Sequence, residues 1–304
     1  MEKNTEFSQV AALWEADKKQ YVKRSTYATY STLVETRIIP CFGNKTEILE
    51  ADVQEFVNGE LAAGLSVKTV KDILVVLKMI LRFGAKCGLF PDRRIDVVFP
   101  TQRKKATIEV MSVPNQRKLM CYVREHFSFR NLGILISMST GLRIGEICAL
   151  RWADIDLDSR LLRVRRTIQR IYMEGHTEVI EDAPKTVSSF REIPLTQDLL
   201  GILRPIKKII RADYYVLSGS PKPIEPRTYR AYFKRVTLEI GLPPIRFHGL
   251  RHSFATRCIE SHCDYKTVSA LLGHSNISTT LNLYVHPGLD QKRRCIDAVV
   301  KLLK

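Results

Sequence analysis

Residues 66–88, SVKTVKDILVVLKMILRFGAKCG, can become little other than one helix. Val70, Ile73, Leu74, Leu77, Ile80 and Leu81 recur at three- and four-residue spacing, so a helix gathers them on one broad apolar face. Ser66 is placed to cap the first turn and Gly88 to end the last. A face that wide must be buried against other helices, and the preceding residues supply them. Phe7, Val10, Leu13 and Trp14 mark one helix, and Tyr27, Tyr30, Leu33, Val34 and Ile38 a second after the break at KRST. Pro40 and Gly43 are expected to stop that second helix. Glu50 to Ala63 is a third, with Val53, Phe56, Val57 and Leu61 inward. Four helices with short connections predict a compact helical domain over residues 1–99.

Residues 100–107, PTQRKKAT, hold no apolar side chain between Pro100 and Ala106. They read either as a linker or as an ordinary polar loop. Extended at ~3.3–3.6 Å per residue, they would outreach the ~12 Å width of a DNA major groove. Beyond them, residues 108–304 predict a second domain. Pro114 to Phe127 and Leu132 to Thr140 read as helices, and Gly141 breaks or begins one. The β-branched run at 160–173 reads as a strand, followed by a loop through Gly175, the segment TEVI and a tight turn near Pro184. From Asp198 the pattern is again helical, punctuated by prolines. The fold class expected is mainly α with a small antiparallel β-sheet (α+β).

The charge is lopsided. The chain carries 48 Lys+Arg against 32 Asp+Glu, a formal net of +16. Residues 1–100 hold 14 basic and 13 acidic residues, so almost all of the excess lies in the C-terminal two-thirds. Such an excess points to a polyanion, either nucleic acid or an acidic membrane surface. No apolar run reaches the ~18–20 residues that cross a bilayer. MEKNTEFSQ has no apolar signal region. The seven cysteines are odd in number and irregular in spacing, which excludes a disulfide framework or zinc ribbon. Several are expected to be small core residues in a reducing cytoplasm.

Residues 248–252 read HGLRH. Two histidines could share a metal, but a site needs about three or four converging ligands, and here an arginine intervenes with few carboxylates nearby. An anion fits better, because a guanidinium presents five donors in a fork matched to phosphate. His248 and Arg251, three apart, would project from one side of a helix. A second arginine, Arg143, lies in the otherwise apolar STGLRIGEICAL, with Glu146 as its nearest available partner. Further on, LLGHSNISTTLNLYVH carries His274 and Tyr284.

Taken in order and at these intervals, TGLRIGE, HGLRH and LLGHSNISTTLNLYVH resemble the signature of the tyrosine recombinases, the phage integrase family. The likeness is firmest from about residue 105 to 290. The helical first hundred residues are similar in size and layout to the family's SAM-like core-binding domain. One departure is Gly249, where many members carry aspartate, which puts any supporting role for that aspartate in doubt here. The resemblance implies paired phosphate-binding arginines at Arg143 and Arg251, active-site histidines at His248 and His274, a nucleophile at Tyr284 and a β-turn lysine at Lys185. Glu146 resembles the family's supporting carboxylate.

The resemblance further implies a site-specific recombinase of the integrase or invertase type. Tyr284 would attack a DNA phosphodiester, form a 3′-phosphotyrosine and expel a 5′-hydroxyl. The phosphoester energy is retained, so neither ATP, metal nor other cofactor is implied. The expected partner is a double-stranded recombination site, with a dimer on one site and a tetramer in the synapse. Accessory DNA-bending proteins are a further partner class, and no membrane is involved. Two domains joined by RKK would grip opposite faces of a duplex. The tail after Tyr284 is expected to dock on a neighbouring protomer or on its own domain. The few residues ahead of the first helix leave no room for an arm-binding domain, which favours a simpler Xer-like, invertase-type or mobile-element recombinase. A type IB-like topoisomerase would share these residues, and a non-catalytic basic DNA-binding protein would share the charge.

Overall fold

The computed structural model describes residues 5–101, 109–173, 175–184 and 187–284, with residues 293, 296–297, 299–301 and 303 of the tail. Residues 102–107 of the expected linker, and residue 108 after it, lie outside the described residues. So do Lys185 and the side chains of residues 282–284. The chain divides into two compact units, Met1–Lys105 with Ile171–Glu178, and Ala106–Arg170 with Val179–Lys304. It is mainly helical, with two small sheets.

In the first unit, α1 (Phe7–Lys19), α2 (Arg24–Leu33), α4 (Glu50–Ala62) and α5 (Val67–Lys86) enclose one core. Phe7, Trp14, Val57, Ile73, Leu77 and Ile80 are fully buried in it, whereas Leu13 faces solvent. The Ser66 hydroxyl accepts the Thr69 N–H at 3.1 Å, the cap the sequence predicts. Of the two residues expected to stop the second helix, Gly43 caps its end after Phe42, whereas Pro40 does not interrupt it. A π-helical turn at Val34–Ile38 leads into α3 (Ile39–Phe42), and Pro40 falls in that segment's first turn, where its missing N–H is tolerated.

In the second unit, α7 (Phe129–Thr140) is the central helix, with Leu132, Ile134, Leu135 and Ile136 buried. Flanking it are α6 (Val113–Glu125) and α11 (His248–Glu260). The short α8 (Ile144–Ala149) follows α7 through Gly141, whose φ of +66° ends the helix in the left-handed region. Strands β1 (Ile155–Asp156), β2 (Leu161–Val164) and β5 (Arg191–Pro194) form an antiparallel sheet in the order β1-β2-β5. Leu162 pairs with Ile193 and Val164 with Arg191. β3 (Thr167–Met173) and β4 (His176–Asp182) form a separate two-stranded sheet.

The single strand expected over 160–173 is therefore two strands in two sheets. Their alternation breaks at Arg165-Arg166, where Arg166 turns to the buried Asp154 at 2.6 Å. The expected loop through Gly175 (φ +81°) lies between β3 and β4, and the turn expected near Pro184 falls on residues 185–186, outside the described residues. After β5 come α9 (Gln197–Lys207), α10 (Pro226–Glu239), α11, α12 (Tyr265–Leu272) and α13 (Ile277–Tyr284).

The cysteines correct another expectation. Of the six described, all free, only Cys148 is buried, and Cys41, Cys87, Cys121 and Cys263 are exposed. In the tail, Ile296, Val299 and Val300 are helical and exposed. No helix among the described residues is long and apolar enough to cross a membrane.

Candidate active site

The C-terminal end of α12 organises the site. A helix leaves its last carbonyls without intrahelical partners, and its dipole places partial negative charge there. Three arginines from three different elements take up successive carbonyls. Arg191, the first residue of β5, donates from Nε to the Leu271 oxygen at 2.7 Å. Arg251 of α11 donates to the Leu272 oxygen at 2.6 Å and to the Gly141 oxygen at 2.9 Å. Arg143, between α7 and α8, donates to the Gly273 oxygen at 3.1 Å. Gly273 itself has φ +64°, and a Cβ there would stand 3.0 Å from both Arg191 Nη1 and the Ser188 oxygen. This position therefore requires glycine for its conformation and for space.

Glu146 sits one turn into α8 and is buried. One of its oxygens accepts the Arg143 backbone N–H at 2.8 Å, which secures the start of the helix. The carboxylate also accepts Arg143 Nη1 at 2.8 Å and the Arg191 fork at 3.0 and 2.8 Å. Burial pushes its pKa up, but the hydrogen bonds and charge of Arg191, then the charge of Arg143, outweigh that and hold it at about 2. Gly145 lets α8 sit close on β3, since a Cβ would come 2.4 Å from Thr167 Oγ1 and 2.6 Å from the Ile168 oxygen.

Arg251 is 2 % exposed. His248, one turn earlier on the same helix, is exposed, and its ring meets that of His252 edge to face at 4.5 Å. Desolvation of its crowded inner side, then the charges of His252, Arg251 and Arg143, hold the His248 pKa down to about 4. His274 is half-buried, with Nδ1 2.8 Å from the Thr280 hydroxyl. Burial, then Arg251, Arg143 and Arg191, lower its pKa to about 4 as well. Both rings are thus neutral at pH 7. A Thr280 hydroxyl donating to Nδ1 would leave the ring proton on Nε2. Arg143, Glu146, Thr167, Gln169, Ser189 and His274 line an open cleft of about 370 Å³.

Arg143, His248, Arg251 and His274 therefore come together from three separate segments: the start of α8, α11 and the residues after α12. Tyr284 is the last residue of α13, the helix that begins three residues after His274, and its side chain lies outside the described residues. Lys185 also lies outside them. The strand before it is pinned at its end, because Glu181 accepts from Tyr215 Oη at 2.7 Å and from Arg151 Nη2 at 3.2 Å. Among the described residues no three His, Cys, Asp or Glu gather as metal ligands would. Gly249 packs tightly, since a Cβ would lie 2.5 Å from Ile245 Cγ1 and 3.3 Å from the Glu109 oxygen. Sequence reasoning missed Arg191. Its signal is alternation: in SFREIPL, Arg191 shares the inward face of β5 with the buried Ile193.

Residues 109–290 match the model of the phage integrase family, and residues 6–61 match that of the phage integrase N-terminal SAM-like domain. The chain belongs to the phage integrase family. This integrase-family chain is 28 % identical over 285 residues to a XerC-like tyrosine recombinase of Caldanaerobacter subterraneus subsp. tengcongensis, covering 85 % of this chain and 72 % of the relative. It is 26 % identical over 276 residues to the ICEBs1 integrase of Bacillus subtilis, covering 84 % and 73 %. In fold it is similar to the Tn1549 transposon integrase, solved with transposon right end DNA, at a TM-score of 0.77 and 21 % identity over 97 % of this chain and all of that one. Lambda integrase, solved as a dimer on a core site, matches with a TM-score of 0.66 and 19 % identity over 92 % and 96 % of the two chains.

Proposed function

We propose that the chain is a site-specific DNA recombinase that cuts and rejoins double-stranded DNA through a 3′-phosphotyrosine at Tyr284. The observation that carries this reading is the meeting of Arg143 and Arg251 on the adjacent carbonyls of Gly273 and Leu272, beside His274. Two guanidinium groups fixed on one helix end, that of Arg143 lining the cleft, match a phosphodiester, whose transition state gathers negative charge on its non-bridging oxygens. His274 would donate to one of those oxygens.

The phenol of Tyr284, with an ordinary pKa of about 10, needs an acceptor for its proton at neutral pH. His248 is held neutral and can take it. The tyrosyl oxygen bonds to phosphorus as the bond to the 5′-oxygen breaks, and Lys185 would protonate the leaving oxygen. A second 5′-hydroxyl then reverses the step on a new strand, so one difficult exchange becomes two easier ones. On this reading residues 1–99 are the core-binding domain, 100–107 the linker and 108–304 the catalytic domain. The protein acts in the cytoplasm as a dimer on one site and a tetramer in the synapse.

The test is a nicked suicide duplex built on the sequences flanking the gene. The wild-type chain should leave a covalent protein–DNA band on a denaturing gel. Tyr284→Phe should shift the same duplex on a native gel yet leave no covalent band. An adduct formed equally well by Tyr284→Phe would remove Tyr284 from the role.

A further inference from the structure

We infer that Arg191 is a positioning residue for phosphoryl transfer, one that keeps the charge of Arg143 available to the scissile phosphate by sharing Glu146 with it. The inference rests on the recombinase reading above. Its basis is the pairing of two guanidinium groups, one buried and one partly exposed, with a single buried carboxylate. The side chains of Arg191 and Glu146 are 5 % and 4 % exposed, while that of Arg143 is 36 % exposed and faces the cleft. Arg191 therefore sits behind Glu146 and Arg143 in front of it.

The donors of Arg191 are engaged behind the cleft. Nε serves the Leu271 oxygen, Nη1 the Ser189 oxygen at 3.2 Å and Glu146, and Nη2 the other oxygen of Glu146. Such a fork holds the carboxylate plane still, and it is the strong bidentate geometry of an arginine–carboxylate pair. Its effect on the site is electrostatic as well as geometric. Glu146 paired with Arg143 alone would cancel the charge that the phosphate requires. With Arg191 present the three groups sum to one positive charge, and the exposed member of the three is Arg143. The Nε bond adds a second effect, since it fixes the first of the three carbonyls whose successors orient Arg251 and Arg143.

A purely structural arginine and a charge-balancing one predict different results for Arg191→Met, a change that keeps the volume without the charge. Adduct formation is measured on two suicide duplexes, one with an ordinary scissile phosphodiester and one with an uncharged methylphosphonate there. We expect Arg191→Met to slow the charged substrate on the order of tenfold to a hundredfold, the worth of one hydrogen bond to a charged group. The loss on the methylphosphonate should be several-fold smaller, because that substrate makes less demand on the charge of Arg143. Arg191→Lys, which keeps the charge and loses the fork, should retain most of the wild-type ratio between the two substrates. Arg191→Met should cost less in an Arg143→Ala background than in the wild type, since its electrostatic effect passes through Arg143, the remainder being its hold on the α12 carbonyls.

The free protein gives a reading that needs no DNA. Titrated by NMR, His274 should rise in pKa in Arg191→Met and stay near its wild-type value in Arg191→Lys, a variant that also serves if the methionine change does not fold. Equal losses on the two substrates, or an unmoved His274, would overturn the inference. A wild-type chain that forms no adduct at all would count against the recombinase reading instead, leaving the His274 titration to decide the role of Arg191.

Discussion

Arg143 and Arg251, far apart in sequence, end on neighbouring carbonyls: Gly273 at 3.1 Å and Leu272 at 2.6 Å. Neither arginine is placed by its own helix alone. Each is oriented by the far end of α12, so the site depends on packing among α8, α11, α12 and β5.

The carboxylate of Glu146 is the tightest point of that packing. Glu146→Ala leaves Arg191 buried without its acid, and breaking a buried pair in this way costs about 3–5 kcal/mol. Urea unfolding should show a midpoint lowered accordingly, with adduct formation on the suicide duplex lost as well. Unchanged stability would mean that the Arg191–Glu146 pair is replaced at no cost.

Acid should unfold the protein in two overlapping steps. In the unfolded chain His248 and His274 titrate near 6.5, and in the fold near 4, so the unfolded state binds more protons between these values. The stability that goes with the neutral rings is present above pH 6.5 and is lost as pH falls towards 4. Glu146, depressed from 4.5 to about 2, gives stability above pH 4.5 that is lost as pH falls towards 2. Denaturant midpoints across this range should follow both steps, and His248→Asn with His274→Asn should flatten the upper one.

Gly273→Ala forces a Cβ into the left-handed region, which costs roughly 1–2 kcal/mol, and against the Arg191 guanidinium. Thermal unfolding should register that cost. Adduct formation should fall by more than stability alone explains, because the shift passes directly to the carbonyls that hold Arg251 and Arg143.

At position 249 the chain departs from the aspartate that many family members carry. Gly249→Asp should lower the melting temperature, since its Cβ would meet Ile245 at 2.5 Å. It should not raise activity. A more active Gly249→Asp would show that the departure is a catalytic loss rather than a packing choice.

Local spacing did not single out Arg143, His248, Arg251 and His274; the resemblance of TGLRIGE, HGLRH and LLGHSNISTTLNLYVH to the family's motifs did, and in the structure Arg143 and Arg251 meet at the end of α12 beside His274. Apolar periodicity revealed α4, α5 and α7 together with the Ser66 cap. What escaped was decided by tertiary pairing. Arg191 reads locally as one more surface arginine until Glu146, distant in sequence, is packed against it. Pro40 reads as a stop until the π turn at Val34–Ile38 shifts it into a first turn. The two arginines at 165–166 lie inside a β-branched run, and only the buried Asp154 explains why the strand divides there.

The most direct test of the account is the identity of the residue bonded to DNA. The adduct trapped on the suicide duplex can be digested with protease and nuclease and sequenced by mass spectrometry. One nucleotide-modified peptide is expected, carrying its phosphate on Tyr284. A phosphate on any other residue, or DNA cleaved with no covalent peptide, would contradict it.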